Sequence, residues 1–548
     1  MAVIRWTGFA GENRALHPKL LPEAAGTLSR NQKPGRGDLR PWKNPAQVAT
    51  VPSGRKTIYR MGRDVASDST YWLSWPSVVH AVRGFDATDT TERTYYTGDG
   101  VPKVTYNTSL DGVDPQDNPS TNWRPLGIPA PATAPTLAAA GGTSTQTESY
   151  YYAYTYVNDW GWESAPSPVS AMLTRKTDAT TTIAGFAAVP SGNYNVNRIR
   201  VYRTQTGATG TTEFFFLREI AYGTTSTTDD NRNLGEVLPT TTWLPAPGLP
   251  MGNGSTEPTL SNLTSLWNGM LAGISGNSVR FCEAYAPYAW PIAYDVVPPD
   301  SKPVGMGVFG QSLLVLTTGR PLLVAGSSPE SMDQQPLEMP QGCVASQSIV
   351  SMGAGVAWAS EDGLCWYGAG GARILTAGLM TREDWQALVP SSIIGKMYEG
   401  LYFGSYDDGG GRKGFLIEPG NPQGIFFLDT GYTALHFDEL RDQLYVLDGT
   451  SIKKWDAGAL MTVKAKSKQF WAPKPINFAA AEVVADAYPV TFRVYADGAL
   501  KHTQSVTGNN PFRLPSGFLA QRWELEIEGT SAVQSATLAT SVAELAAV

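Results

Sequence analysis

Apolar and polar residues alternate with a period of two in many short runs, which are bounded by Gly, Asp, Asn and Pro. Clear examples are T-I-Y-R at 57–60, Y-A-Y-T-Y-V-N at 152–158 and I-R-V-Y-R-T at 199–204. In a strand this alternation places one face in a core and the other in solvent. The pattern therefore predicts an all-β chain of short strands joined by turns.

A hairpin unit recurs over residues 245–460: an apolar strand, a turn containing Gly or Asp, a second apolar strand and a polar loop. It is seen at 355–368, 399–417 and 442–455. Successive units lie about 40 residues apart, the spacing of β-propeller blades. Because one hairpin buries too little apolar surface alone, the blades must stack around a ring. Residues 46–131 supply further strands to this propeller.

Residues 132–244 have a residue pattern that differs from that of the hairpin units. They lie between two Pro- and Ala-rich runs, I-P-A-P-A-T-A-P at 128–135 and W-L-P-A-P-G-L-P at 243–250. Their aromatic strand, the bend E-S-A-P-S-P at 163–168 and the strand R-I-R-V-Y-R at 198–203 resemble a fibronectin type III module. The predicted fold class is therefore a β-propeller interrupted by an inserted fibronectin type III-like β-sandwich.

The two ends of the chain complete this architecture. Residues 1–45 have no sustained period and several prolines, which predicts an extended N-terminal arm, and residues 461–548 predict a C-terminal β domain. Four leucines of the arm would be exposed to solvent if the arm were free. We therefore expect them to pack on the body or on a neighbouring copy: Leu16, Leu20, Leu21 and Leu28. If the arm only binds other subunits, we expect a chain without residues 1–45 to fold as a monomer.

Composition narrows the possible functions. The chain of 548 residues has 42% hydrophobic, 11% aromatic and 17% charged residues, with 56 Gly and 39 Pro, which suits β structure. A net charge of −7 argues against a protein that grips nucleic-acid phosphates through clustered Lys and Arg. Such acidity is compatible with DNA that passes without being held.

Motifs for catalysis or metal binding are weak. The three cysteines, 282, 343 and 365, have no Cys-x-x-Cys spacing, and the four histidines lie in different segments. The acidic pairs Asp229–Asp230, Glu361–Asp362 and Asp407–Asp408 are interpreted as solvated turns, and 111–119 lacks the spacing of a calcium loop. No run approaches the roughly 18 apolar residues of a membrane helix. We expect no catalytic residue, no metal and no cofactor.

Several segments together resemble virion proteins of tailed bacteriophages: 11–22, 31–42, 90–105, 359–376 and 511–520. The layout is similar to the nozzle, or tail tubular protein B, of short-tailed phages. This resemblance implies a hexameric ring in the virion tail, assembled in the host bacterial cytoplasm. It also implies an adaptor above the ring, tail fibres or spikes as further partners, and transient passage of double-stranded DNA during genome ejection.

Two groups of residues are the candidate contacts. The first is the arm, which we expect to bind a neighbouring subunit or the adaptor through Lys33, Arg36, Asp38, Arg40 and Trp42. Its Arg-Gly-Asp tripeptide is interpreted as a turn. The second is a possible external binding face on the insertion, formed by Tyr150, Tyr151, Trp160 and Trp162. Two alternatives stay open: a receptor-binding or carbohydrate-active propeller, and a tail adaptor or hub.

Overall fold

The computed structural model describes residues 3–62, 67–86, 88–106, 123–206, 212–230, 233–252, 254–326 and 331–545. Its α-helices are short, α1 (Arg382–Gln386) and α2 (Val542–Leu545), and single 3₁₀ turns lie at Ile292–Tyr294, Ser346–Ser348 and Pro390–Ser392. Within these ranges no helix has the length and apolar character needed to span a membrane.

Strands account for the rest of the regular structure. The N-terminal segment contains β1 (Val3–Trp6), β2 (Gly26–Arg30), β3 (Gln32–Lys33) and β4 (Arg40–Pro41). The next stretch contains β5 (Ala46–Thr50), β6 (Thr57–Arg60), β7 (Trp72–Trp75), β8 (His80–Arg83), β9 (Thr94–Thr97), β10 (Lys103–Thr105) and β11 (Trp123–Pro125). The insertion contains β12 (Thr136–Ala140), β13 (Thr147–Tyr150), β14 (Tyr152–Asn158), β15 (Leu173–Lys176), β16 (Thr180–Ala184), β17 (Val196–Thr206), β18 (Thr212–Ala221) and β19 (Ser226–Asp229).

The second half of the chain continues the series. Its propeller strands are β20 (Ser261–Ser265), β21 (Leu271–Ser275), β22 (Ser278–Phe281), β23 (Pro303–Phe309), β24 (Ser312–Thr317), β25 (Leu322–Ala325), β26 (Asp333–Pro336), β27 (Val350–Ser351), β28 (Gly355–Ala359), β29 (Leu364–Gly368), β30 (Gly371–Ile374), β31 (Ile394–Tyr398), β32 (Leu401–Asp407), β33 (Arg412–Ile417), β34 (Phe426–Leu428), β35 (Ala434–Asp438), β36 (Gln443–Asp448) and β37 (Ser451–Lys454). The C-terminal strands are β38 (Val463–Ser467), β39 (Phe470–Ile476), β40 (Ala480–Ala485), β41 (Val490–Ala496), β42 (Ala499–Val506), β43 (Phe512–Arg513), β44 (Ala520–Gly529) and β45 (Val533–Ala539).

Seven blades form the propeller in the part of the chain that the structure describes. Four are four-stranded meanders, β8–β11, β23–β26, β27–β30 and β31–β34, while β20–β22 has three strands and β6–β7 has two. In the seventh, β35, β36 and β37 are completed by β5 from the other side of the sequence. The first strands of the blades, β6, β8, β20, β23, β27, β31 and β35, contribute residues to one central channel. Pairing β37 with β5 closes the ring, because it ties its last blade to its first strand.

The inserted domain, β12 to β19, lies between the propeller strands β11 and β20 in the sequence. Its sheet β14–β17–β18 packs on the smaller sheets β12–β16–β19 and β13–β15, with Tyr152, Tyr154, Ile183 and Val201 in the common core. The predicted fold class is thereby confirmed: the chain is all-β, with a propeller, an inserted β-sandwich and a C-terminal β domain.

The N-terminal segment is extended, but its strands β1 and β2 pair with strands from other parts of the same chain. β1 pairs with β45 along its whole length. β2 pairs with β38 on one side and touches β34 at Arg30 and Phe427 on the other, so the blade β31–β34 continues as one sheet into the C-terminal domain. Deletion of residues 1–45 would remove the strand that joins two domains, so these pairings argue against the expectation that the truncated monomer stays folded.

Hairpin turns follow the chemistry that the sequence indicates. Between β41 and β42, Asp497 and Gly498 have φ of 51° and 85°, both in the left-handed region. Two successive positive φ values match the right-handed twist of the flanking strands, and Asp-Gly is a preferred pair for this turn. Local residue choice thus fixes the register of hairpins, while ring closure depends on distant pairings.

Candidate functional site

The central channel of the propeller is a cavity with a volume of about 690 Å³. This lies within the range of about 300–1,000 Å³ that is typical of small-molecule sites. Apolar walls come from residues such as Met306, Met397 and Leu435, and hydrogen-bonding groups come from Asn262 and Gln347. The channel is therefore a polar and apolar cavity of ligand size.

Three basic side chains from three blades meet in this channel: His80 on β8, Lys396 on β31 and His436 on β35. Burial lowers the pKa of the Lys396 ammonium, although the charge of Glu439 acts in the opposite direction. Burial, reinforced by the charge of Lys396, lowers the pKa of His80 to about 4. For His436, burial and the charges of Lys396 and three arginines lower the pKa to about 3. Both imidazoles are neutral at pH 7.

A second network, at the contact between β6 and β35, neutralises the neighbouring arginine. The Arg60 guanidinium is fully buried and donates to Asp68 Oδ1 at 3.2 Å and to the Tyr445 hydroxyl at 3.3 Å. It also lies 3.7 Å from Asp438, whose carboxylate accepts from Arg441 at 2.8 Å. These carboxylates are engaged by arginines at the channel wall, so they do not compensate Lys396.

Tyr59 adds an aromatic wall beside the histidine. Its ring centroid lies 5.1 Å from that of His436 in an edge-to-face arrangement. Burial raises the pKa of the Tyr59 phenol to about 12, so the hydroxyl stays protonated and can donate a hydrogen bond. In the described ranges no three His, Cys, Asp or Glu side chains are arranged to hold a metal ion.

Sequence reasoning missed this site because its members are far apart in the chain. The histidines were interpreted as scattered, yet the ring brings His80 and His436 to one channel. The available signal was positional: each basic residue lies in the first strand of a blade, and first strands line the axis of a propeller.

The predicted contact residues of the arm have partners within the chain. Trp42 is fully buried, between Tyr398 and Trp455 at centroid distances of 6.0 and 5.7 Å. Lys33 pairs with Glu399 at 2.9 Å and with Asp456 at 2.7 Å. These two residues hold the segment against the propeller of the same chain. Trp42 has no exposed surface left for another subunit, whereas the predicted intersubunit contact of Lys33, whose side chain is 18% exposed, stays a prediction.

The remaining three residues of that group differ in exposure. Arg40 is half-buried and donates to the carbonyl of Pro34 at 3.0 Å, and its Nε lies 3.8 Å from Asp38. Arg36 is exposed at the tip of the β3–β4 loop, where Gly37 has a φ of 79°. The tripeptide is thus a glycine turn, and Arg36 is the member of the group that faces solvent.

The predicted external face of the insertion is not one face. Tyr150 and Tyr151 precede β14, whereas Trp160 and Trp162 follow it, so the pairs lie at opposite ends of this strand. Trp162 is only 5% exposed and stacks on Tyr288 with ring centroids 4.9 Å apart, which contradicts its prediction as an exposed residue.

The other three aromatic residues of that group are exposed to different degrees. Trp160 is half-buried between two guanidinium groups, Arg124 at 3.8 Å and Arg93 at 4.4 Å from the ring centroid. Tyr150 is half-buried beside Arg203, at 4.4 Å, and Tyr151 is exposed. Trp160 and Trp162 therefore anchor the insertion on the propeller.

The acidic pairs separate into two kinds. Asp408 and Glu361 are exposed in turns, and Asp408 accepts from Lys413 at 2.7 Å, in line with the solvated interpretation. Asp229 is different, because it is fully buried and accepts from Tyr152 and Arg203 at 2.7 Å each. The interpretation of Asp229 as a solvated turn residue is wrong. The acidic stretch 111–119 lies outside the described residues.

Exposed apolar side chains lie on both segments where the N-terminal segment meets the C-terminal domain, and we call Leu16, Leu20 and Trp471 together the seam patch. Their exposed fractions are 42%, 69% and 45%. The loop is fixed there by Gln469, whose backbone N–H donates to the Pro18 carbonyl at 3.0 Å, and by the Lys19 ammonium 4.5 Å above the Trp471 ring. Of the predicted stranded leucines, Leu21 is buried in the body, while these two remain in solvent.

Comparisons with known proteins leave the function open. No family model matches the chain, and no curated protein matches it. Among solved structures, apo AztD from Citrobacter koseri is similar at 12% identity and a TM-score of 0.27, covering 68% of this chain and all of that one. The WD40 domain of Toxoplasma gondii coronin is similar at 10% identity and a TM-score of 0.25, covering 76% and 88%. These scores are too low to support an inference about function.

Proposed function

We propose that the chain is a non-catalytic structural subunit of a bacteriophage short tail. In this proposal several copies, six by the resemblance, close into a ring-shaped nozzle that docks on the adaptor. The ring retains the genome in the virion and conducts DNA during ejection. Support comes from the sequence resemblance and from one structural observation, the seam patch, which leaves large apolar side chains exposed at the junction between two domains.

The seam patch suits a second copy of the chain as its occupant. Exposed apolar side chains cost free energy in solvent, and burying them against a symmetry-related copy recovers it. The loop that carries Leu20 is already fixed by its contacts with β39, so association orders few further residues.

The DNA path in this proposal lies between copies and not through one propeller. A single channel has a volume of about 690 Å³ and is lined by side chains from seven strands. The major groove of B-DNA alone is about 12 Å wide, so a duplex does not fit this cavity. A ring wall with a net charge of −7 per copy would not adhere to phosphates, which favours passage over retention along the wall.

The test is the oligomeric state of the purified chain, measured by light scattering and by electron microscopy of single particles. The wild type is expected to form closed rings with a central pore wider than a duplex. Leu20→Glu places a charge in the seam patch and should give monomers. Leu500→Glu is the matched control, because Leu500 is also exposed, at 51%, but lies on the far edge strand β42.

Two results would contradict the proposal. One is a wild-type chain that stays monomeric at high concentration with or without the adaptor. The other is a chain that binds or hydrolyses a host polysaccharide on a glycan array while forming no ring. That second result would favour the alternative, a receptor-binding or carbohydrate-active propeller protein of the virion.

A further inference from the structure

We propose that the central channel of each propeller binds a small organic molecule through its phosphate or carboxylate group, with Lys396 as the charge partner. This inference goes beyond the tail role, because it concerns a site within one copy. Three observations carry it: a lysine without a counter-ion, the charge balance of the channel, and the size and chemistry of the walls.

Lys396 differs from several other lysines of the chain. Lys33, Lys413, Lys453 and Lys454 each lie 2.6–3.0 Å from a carboxylate oxygen. Among the described residues no carboxylate lies within ion-pair distance of the Lys396 ammonium, which nevertheless lines the channel and is half-buried. A cation removed from bulk water without a partner is costly, and an anionic ligand would supply the missing partner.

The channel is basic although the protein is acidic. Its lining contains Lys56, Arg60, Arg83 and Lys396 against Asp438 and Glu439, and behind the wall Arg60 pairs with Asp68 while Arg83 lies 3.8 Å from Glu92. Asp438 is already shared by Arg60 and Arg441, and the two histidines are neutral. The lining cations without a carboxylate at ion-pair distance are therefore Lys396 and the exposed Lys56, and an anion gains most at Lys396, where the walls restrict solvation.

The remaining walls indicate an organic body attached to the anionic group. Met306, Met397 and Trp267 offer apolar and aromatic surface, while Asn262 and Gln347 offer amide donors and acceptors. A cavity of about 690 Å³ has room for a molecule of monosaccharide or nucleoside size. A polyanion is excluded by the same dimensions, so this site is distinct from any DNA path.

Isothermal titration calorimetry on the full chain tests the inference with four probes: inorganic phosphate, glucose 6-phosphate, glucuronate and neutral glucose. Binding of glucose 6-phosphate alone identifies a phosphate site, and binding of glucuronate identifies a carboxylate site. Lys396→Met keeps the length of the side chain and should weaken binding about tenfold or more. Lys453→Met removes the same charge from the surface of a neighbouring blade and should leave the affinity unchanged.

Histidine ring signals in NMR provide a second readout. An anion beside Lys396 should shift the resonances of His80 and His436 and leave His502 unmoved, because His502 lies on β42 in the C-terminal domain. The inference is overturned if no anionic probe binds, if glucose binds as well as its anionic derivatives, or if Lys396→Met binds like the wild type. The titration does not depend on ring formation, so it can fail while the tail proposal holds.

Discussion

At the scale of single residues, Asp229 holds together three polar groups of the inserted sandwich. Its Oδ2 atom accepts from the Tyr152 hydroxyl and from Arg203, each at 2.7 Å, and lies 3.5 Å from Arg175. The carboxylate and both guanidinium groups are almost completely shielded from solvent. The charge of Asp229 therefore compensates two buried cations that belong to different strands.

We predict that Asp229→Asn destabilises the insertion by about 3 kcal/mol, since removing one member of a buried charge cluster leaves the others uncompensated. Hydrogen-exchange mass spectrometry of peptides from β14 and β17 measures this as faster local opening. Asp230→Asn is the adjacent control: Asp230 is exposed and pairs with Arg218 at 3.1 Å, so its loss should change exchange little. Equal effects of the two substitutions would contradict the assigned role of Asp229.

At the scale of elements, β2 is the strand that makes one sheet out of a propeller blade and the C-terminal domain. Gly26 starts this strand where the backbones are closest: a Cβ atom there would lie 2.6 Å from the carbonyl oxygen of Lys466 on β38. A methyl group cannot occupy this position unless one backbone moves. The joint thus depends on the absence of a side chain at residue 26.

We predict that Gly26→Ala weakens the joint by about 1–3 kcal/mol, as overpacking of a filled space usually does. The expected result is faster hydrogen exchange in β2 and β38, while exchange in the distant blade β23–β26 stays unchanged. Gly370→Ala is the control, because a Cβ atom at Gly370 would meet nothing within 4 Å. Unchanged hydrogen exchange in β38 of the Gly26 variant would show that the joint between β2 and β38 tolerates the methyl group.

The difference between local turns and long-range strand pairing explains which parts of the fold could be predicted from the sequence. Period-two alternation and Asp-Gly turns are local signals, so the hairpins, the blades and the inserted sandwich could be predicted. The partners of β1 and β2 lie about four hundred residues or more away, and nothing near Trp42 indicates Tyr398 and Trp455. The arm was therefore assigned to another subunit. Likewise, Lys396, His80 and His436 become one site only when the ring closes.

At the scale of the whole molecule, the propeller carries neutral histidines along its axis, and this links its stability to pH. The pKa of His80 is lowered to about 4 and that of His436 to about 3, chiefly by burial. The unfolded chain takes up these protons near pH 6.5. Between about pH 6.5 and pH 3–4 the unfolded state therefore binds more protons, so stability is fully present above this window and falls as pH decreases through it.

We predict that His80→Asn flattens this acid dependence, with a difference on the order of 2–3 kcal/mol between pH 6.5 and pH 4. Lys396, Arg60, Arg83, Asp438 and Glu439 also line this channel and are present in both proteins, so the comparison isolates the imidazole. Calorimetric unfolding midpoints measured at several pH values provide the test. His17→Asn, in an exposed N-terminal loop, should retain the wild-type slope. If His80→Asn also retains it, the channel histidines do not control the acid response.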